Sequence, residues 1–150
     1  MKSLATLCCC LLLVTSAAQA QATATAQSAA VDDSMFQGLG GKDGIKRIVD
    51  TFVKLILDDA RINTNFKDSD KANLKLRLFE QFCELSGGPC KYGGKSMVDI
   101  HDGLNITDAQ FNAVAEKLQI AMEQHDVPSR IQNKLVAKLA PMHKDMVIRK

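Results

Sequence analysis

Between residues 45 and 56 the apolar side chains fall at Ile45, Ile48, Val49, Phe52, Leu55 and Ile56. Steps of three and four place them on one face of a helix. Gly40 and Gly41 stand before this run, and Asp58 and Asp59 close it. Leu74, Leu78, Phe82 and Leu85 predict a second helix, opened by Ser69 or Asp70 and stopped by Gly87, Gly88 and Pro89. Ser96 with Asp99 has the spacing of a capping box and predicts a short helix. Thr107 with Gln110 repeats that spacing, and Ile106 and Phe111 flank it where a hydrophobic staple forms. The helix it opens runs through Val114, Leu118 and Met122 to about His125. After a break at Val127, Pro128 and Ser129, the residues Ile131, Leu135, Leu139 and Met142 define the last helix, which Pro141 should kink or weaken. No segment alternates as a strand does, so the class is all-α.

The start of the chain follows different rules. Lys2 precedes an apolar run from Leu4 to Val14, and small residues follow, ending Ala18-Gln19-Ala20. A charged start, an apolar centre and an A-x-A site describe a secretory signal peptide over residues 1–20. The run is too short to span a bilayer as a helix, although a retained anchor is the alternative. There is no twin arginine, and the residues before Cys8, Cys9 and Cys10 do not form a lipoprotein cleavage box. Residues 21–34, rich in Ala, Gln and Thr, read as a flexible spacer, and residues 35–150 as one domain. The expectation is an exported protein, periplasmic or secreted, without a stable membrane anchor.

Composition agrees with one globular domain. Of 150 residues, 46% are hydrophobic and 24% charged, enough apolar mass for a core and too much for a disordered chain. The net charge is +2 with no long basic run, so nothing points to nucleic acid. Beyond residue 20 the cysteines are Cys83 and Cys90 alone. In an exported chain such a pair invites a disulfide, two separate buried thiols being the alternative.

Three histidines carry the candidate chemistry. Met97, Ile100, His101 and Leu104 share the spacing i, i+3, i+4, i+7, so His101 lies on the apolar face of its short helix. A buried imidazole needs partners for its ring nitrogens, and spacing alone fits a hydrogen-bonded core histidine as well as a ligand. His125 and His143, among charged neighbours near helix ends, read as solvated surface. No H-E-x-x-H, C-x-x-C, G-x-S-x-G or phosphate-binding glycine loop is present, and no pair of carboxylates stands apart in an apolar setting. The methionines fall mainly on apolar stripes and read as core filler.

The order of motifs adds more than any single one. Leu39-Gly40-Gly41 opens a helix carrying Phe52; Asp59 and Phe66 follow; then come Gly87-Gly88-Pro89, Tyr92, Met97 and His101-Asp102-Gly103. Ile106-Thr107 with Phe111, Val127-Pro128 and Leu139-Ala140-Pro141 complete the series. Over residues 36 to 148 this resembles a group I truncated haemoglobin, the small two-over-two helical sandwich around haem. The resemblance implies haem b, its iron held by the imidazole of His101, and a pocket lined by Phe66, Phe82, Met97, Ile106 and Phe111 with Tyr92 near the haem edge. It implies a diatomic gas (oxygen, NO or CO) as ligand, and oxygen binding or transport as a role. A monomer or weak homodimer is expected.

Departures from the family pattern lie on the distal side. Val53 stands where many members have a tyrosine, Leu78 where they often have glutamine, and Leu74 one turn earlier is apolar too. Distal donors favour oxygen over the less polar CO, so losing both weakens oxygen retention. Arg77 reaches either a haem propionate or solvent; it cannot deprotonate to bind iron. Gln81, where relatives often have phenylalanine, either points its amide into the pocket as a distal polar group or lies on the helix surface. Lys75 reads as exposed. The leading expectation is therefore reversible gas binding, with NO dioxygenase or peroxidase-like turnover as the alternative. A helical interaction module without haem is a third reading.

Overall fold

A computed structural model describes residues 34–147, and the signal-peptide and spacer expectations for residues 1–33 lie outside them. Among the described residues seven α-helices follow one another: α1 (Ser34–Gly38), α2 (Gly41–Asp58), α3 (Lys71–Leu85), α4 (Met97–His101), α5 (Asp108–Glu123), α6 (Ser129–Leu139) and α7 (His143–Met146). Two 3-10 turns, Asn63–Phe66 and Ala140–Met142, complete the list. Among the described residues there is no strand, only one isolated bridge between Ile106 and Val147. No described helix is long and apolar enough to cross a membrane.

The helix ends obey the local chemistry that the sequence announces. Asp70, and not Ser69, caps α3, its carboxylate accepting from the amides of Ala72 and Asn73 at 2.9 and 3.2 Å. Thr107 and Gln110 close a full capping box, with the Thr107 amide donating to Gln110 Oε1 at 3.0 Å. Ser96 makes only half of one. Its hydroxyl accepts from the Asp99 amide, but the Asp99 carboxylate takes the hydroxyl proton of Ser96 at 2.6 Å instead of its backbone N–H. Gly40 and Gly41 sit at φ +82° and +63°, left-handed values that glycine alone adopts freely, so this pair is a tight turn between α1 and α2. Pro141 ends the last predicted helix early. Without an N–H it cannot continue the α-helical ladder, and α6 gives way to a 3-10 turn and then α7.

The core forms where α2 packs on both α3 and α5, with α6 set against α5, α3 and α1. Ile45, Ile48, Val49, Phe52, Val53 and Ile56 of α2 are all at most 3% exposed. They meet Leu118, Ala121 and Met122 of α5 and Ile131 and Leu135 of α6 in one cluster. α1, too short to show periodicity, is held by the Phe36 amide donating to Ser86 O at 3.1 Å. His125 is a correction to the solvated reading. It is half-buried, with Nε2 2.8 Å from Thr51 Oγ1, because the turn after α5 lies against α2. His143 is likewise engaged, 2.7 Å from the Asp108 carboxylate and edge-on to the Phe111 ring at 4.8 Å.

Away from these contacts, Asp59 ties the end of α2 to α5. Arg61 and Lys117 both bridge to it, at 2.6 and 3.1 Å, and Arg61 also reaches Glu116 at 3.1 Å. Hydrogen bonds from Arg61 hold the Asp59 carboxyl far below the usual carboxylate range.

Cys83 and Cys90 form a disulfide with a Cα–Cα separation of 5.6 Å. It closes the turn after α3, where Cys83 is fully buried. Replacing both cysteines with serine is expected to lower the unfolding free energy by about 2–3 kcal/mol, measured by denaturant titration against the oxidised protein. Equal midpoints would show that the bridge adds no stability.

Candidate cofactor site

The helices leave one large apolar cavity of about 450 Å³. That size is typical of a small-molecule or cofactor site. Its lining explains why it exists. Apolar stripes on α3, α5 and α6 face it, and the short α4 adds Met97, Ile100 and His101 to its lining. α3 contributes Leu74, Leu78 and Phe82; α2 adds Phe52 and Ile56; α5 adds Phe111, Val114 and Leu118. The Phe52 and Phe82 rings pack at 6.1 Å with a 42° tilt.

Eleven residues expected at the site from the sequence line this cavity: Phe66, Leu74, Arg77, Leu78, Gln81, Phe82, Tyr92, Met97, His101, Ile106 and Phe111. Val53 does not. It is 2% exposed inside the helix interface, and the cavity wall from α2 is made by Phe52 and Ile56. These two are four residues apart on one helical face, and the short valine side chain lies about 100° around the helix from Phe52 and about 60° from Ile56. Several lining residues had no distinguishing signal. Leu118, Leu139 and Met142 repeat at helical spacing, which marks an inward face without saying whether packing or a cavity meets it.

His101 ends α4 and is half-buried. Its Nδ1 lies 2.8 Å from the carbonyl oxygen of Met97, one turn back on the same helix. A carbonyl only accepts, so Nδ1 carries the proton in the neutral imidazole and Nε2 is left with its lone pair. Among the described residues no group of three His, Cys, Asp or Glu side chains could hold a metal ion. One imidazole nitrogen at an apolar cavity therefore suits a metal whose other ligands come with it, as in haem. The second ring nitrogen, fixed by a backbone acceptor, meets the requirement for an oriented ligand.

The polar groups gather at one side. Arg77 pairs with Glu80 at 2.7 Å and lines both the cavity and an adjoining recess of about 420 Å³ that includes Lys95 and Asn73. It is neither free in solvent nor aimed wholly inward. Gln81 lies at the cavity, not on the helix surface, and its amide stands 3.5 Å from the sulfurs of both Met97 and Met142. Lys75, read from the sequence as exposed, is half-buried and pairs with Asp50 at 2.8 Å. Lys71 had no sequence signal. Its ammonium donates to the carbonyls of Phe66, Lys67 and Ser69, pinning the loop that presents Phe66.

Tyr92 is held at the rim by its amide, which donates to Glu84 at 2.8 Å, and by its hydroxyl, which donates to Lys95 O at 2.9 Å. Gly94 makes this possible, since a Cβ there would lie 2.4 Å from the tyrosine Cζ. Burial pushes the phenol pKa up. The Gly93 amide donates to Glu80 at 3.0 Å. These backbone donors are the main reason that the Glu80 and Glu84 carboxyls are held below the ordinary glutamate value of 4.5.

A carboxyl with a depressed folded pKa contributes stability that is fully present above its unfolded pKa and lost as pH falls through the folded one. The rim segment should therefore hold at pH 5 and above and release as pH falls below 4.5. Tyr92 is the single tyrosine of a chain without tryptophan, so intrinsic emission of cofactor-free protein reports this segment alone. The expected acid transition should vanish in a Glu80→Gln, Glu84→Gln double variant. An identical transition in both proteins would overturn the assignment.

Comparison with known proteins places this architecture. The family model described as bacterial-like globin matches residues 34–148. A group 1 truncated hemoglobin of Tetrahymena pyriformis is 29% identical over 76% of this chain and 94% of its own length. The group 1 truncated hemoglobin GlbN of Synechocystis sp. is 30% identical over 77% of this chain and 97% of its own. The crystal structure of the Tetrahymena pyriformis truncated hemoglobin in its Fe(III) form superposes with a TM-score of 0.74, covering 77% of this chain and 98% of that one at 29% identity. The chain thus belongs to the bacterial-like globin family and has the truncated, two-over-two haemoglobin fold.

Proposed function

We propose that this chain holds haem b through Nε2 of His101 and binds a small diatomic gas reversibly. The observation that carries the reading is the hydrogen bond from His101 Nδ1 to Met97 O at 2.8 Å, which fixes the tautomer that leaves Nε2 unprotonated at the cavity. When bound, haem would supply the iron that takes oxygen, NO or CO. The protein supplies the rest. Phe66, Phe82, Ile106 and Phe111 exclude water, and Arg77 and Lys95, at the recess beside the cavity, would hold the haem carboxylates.

Ligand preference follows from the α3 wall. Leu74 and Leu78 offer no donor, and Val53 is sequestered in the core. A hydrogen bond to a partly charged acceptor is worth about 1.5–3 kcal/mol, or roughly ten- to a hundredfold in affinity. Oxygen gains most from such a bond and CO least, so this wall favours CO and NO relative to oxygen. Turnover as an NO dioxygenase or peroxidase would need a polarising group there; the leucines do not provide one, and the Gln81 amide of the same helix is engaged by the Met97 and Met142 sulfurs. The Cys83–Cys90 bridge suits an oxidising compartment, which supports export to the periplasm or beyond.

Absorption spectra of the haem-supplied protein test the reading. Wild type should bind one haem with a histidine-type ferrous-CO band, lost or altered in His101→Ala. A spectrum unchanged by that substitution, or no stoichiometric haem in wild type, would falsify it. Leu78→Gln is expected to raise oxygen affinity about ten- to a hundredfold with little effect on CO, measured by ligand titration. An equal effect on both gases would overturn the account of the apolar wall.

A further inference from the structure

From Glu80 to Glu84, α3 sends four side chains to the segment that leads into α4. Glu80 accepts from Gly93, Glu84 accepts from Tyr92, and Cys83 is bonded to Cys90. Gln81 reaches furthest along the chain. Its Nε2 stands 3.5 Å from Met97 Sδ and 3.5 Å from Met142 Sδ. Met97 opens α4, and its carbonyl is the acceptor for His101 Nδ1. α4 needs such help. It has five residues, none of them buried, and Val98 and Ile100 are 56% and 43% exposed. Its helix packing is against α7, itself only four residues long.

We propose that Gln81 is a positioning residue for His101: its amide, set between the sulfurs of Met97 and Met142, fixes the turn of α4 whose carbonyl orients the imidazole. A primary amide suits this task because it carries two N–H donors on one nitrogen, one for each thioether. Methionine side chains are flexible and adapt to irregular gaps. Two of them converging on one donor group lose that freedom together. A leucine of similar size would fill the space without fixing where Met97 lies. Thioether sulfur is a weak acceptor, so the effect falls on orientation more than on global stability. The inference rests on the haem reading only in taking His101 Nε2 as the iron ligand.

The test uses the full chain, prepared with and without haem, in wild type, Gln81→Leu, Met97→Leu and the double variant. In the cofactor-free proteins, backbone amide exchange across residues 98–101 should quicken roughly five- to tenfold in each single variant, with α5 unchanged. The double variant should add little, because both substitutions break the same contact. In the ferrous haem proteins, the iron–imidazole stretching band of the resonance Raman spectrum should shift or broaden in both single variants. Unaltered α4 exchange in Gln81→Leu overturns the proposal, and so does faster exchange with an unaltered band. If Gln81→Leu does not fold, Met97→Leu, which keeps the carbonyl and the glutamine, carries the same comparison. A wild type without a histidine-type haem complex defeats the haem reading instead, and the exchange data then decide alone whether Gln81 holds α4.

Discussion

His101, the residue on which the haem reading turns, sits on a helix too short to hold itself. One turn of helix makes about one internal hydrogen bond and buries almost nothing, so its geometry has to be imposed from outside. The neighbouring structure does this. Ser96 caps the first turn, the Met97 carbonyl takes the imidazole proton, and the last turns of α3 hold the approach to α4. The same helix that provides the apolar wall with Leu74 and Leu78 thereby also governs the place of His101. Apolar wall and imidazole are parts of one mechanical unit, and a change in either is felt by the other.

The cavity gives this unit its energetic meaning. Ile100 and Leu104 line it yet are 43% and 40% exposed, apolar surface that helix packing leaves uncovered. Burying such surface against a flat apolar macrocycle contributes at about 25 cal/mol per Å². A ligand that binds only the folded state stabilises it in proportion to the logarithm of its concentration over Kd. Under the haem reading the cofactor completes the core of α4 and α7, the two helices that bury least. The long helices need no such completion, because α2, α5 and α6 already share a closed cluster.

Much of this was legible in the sequence because it depends on local rules. Periodicity at three and four fixed the long helices, and Thr107 with Gln110 marked the start of α5 down to the hydrogen bonds. Eleven of the expected pocket residues line the cavity because a family resemblance carries spatial information that periodicity lacks. What stayed hidden needs the third dimension. Val53 and Phe52 are adjacent in sequence, and only the rotation of α2 decides which of them faces the cavity. No motif singles out Lys71, yet three carbonyls in the loop before α3 converge on it. Gln81 had two open readings, and the partners that choose between them lie 16 and 61 residues away. His125 misled for the same reason, since its partner Thr51 is 74 residues distant.

The break at Pro141 shapes more than one helix end. An uninterrupted α6 would carry the chain straight past the cavity, whereas the 3-10 turn bends it back so that Met142 and Met146 line the cavity. Val147 then pairs with Ile106 at the threshold of α5. That pairing ties the residue after α7 to the approach to α5, beside the cavity that Ile106 lines. The short stretch after Pro141 is thus masonry of the chamber: whatever loosens the Ile106–Val147 pairing also loosens the wall that Met142 and Met146 form.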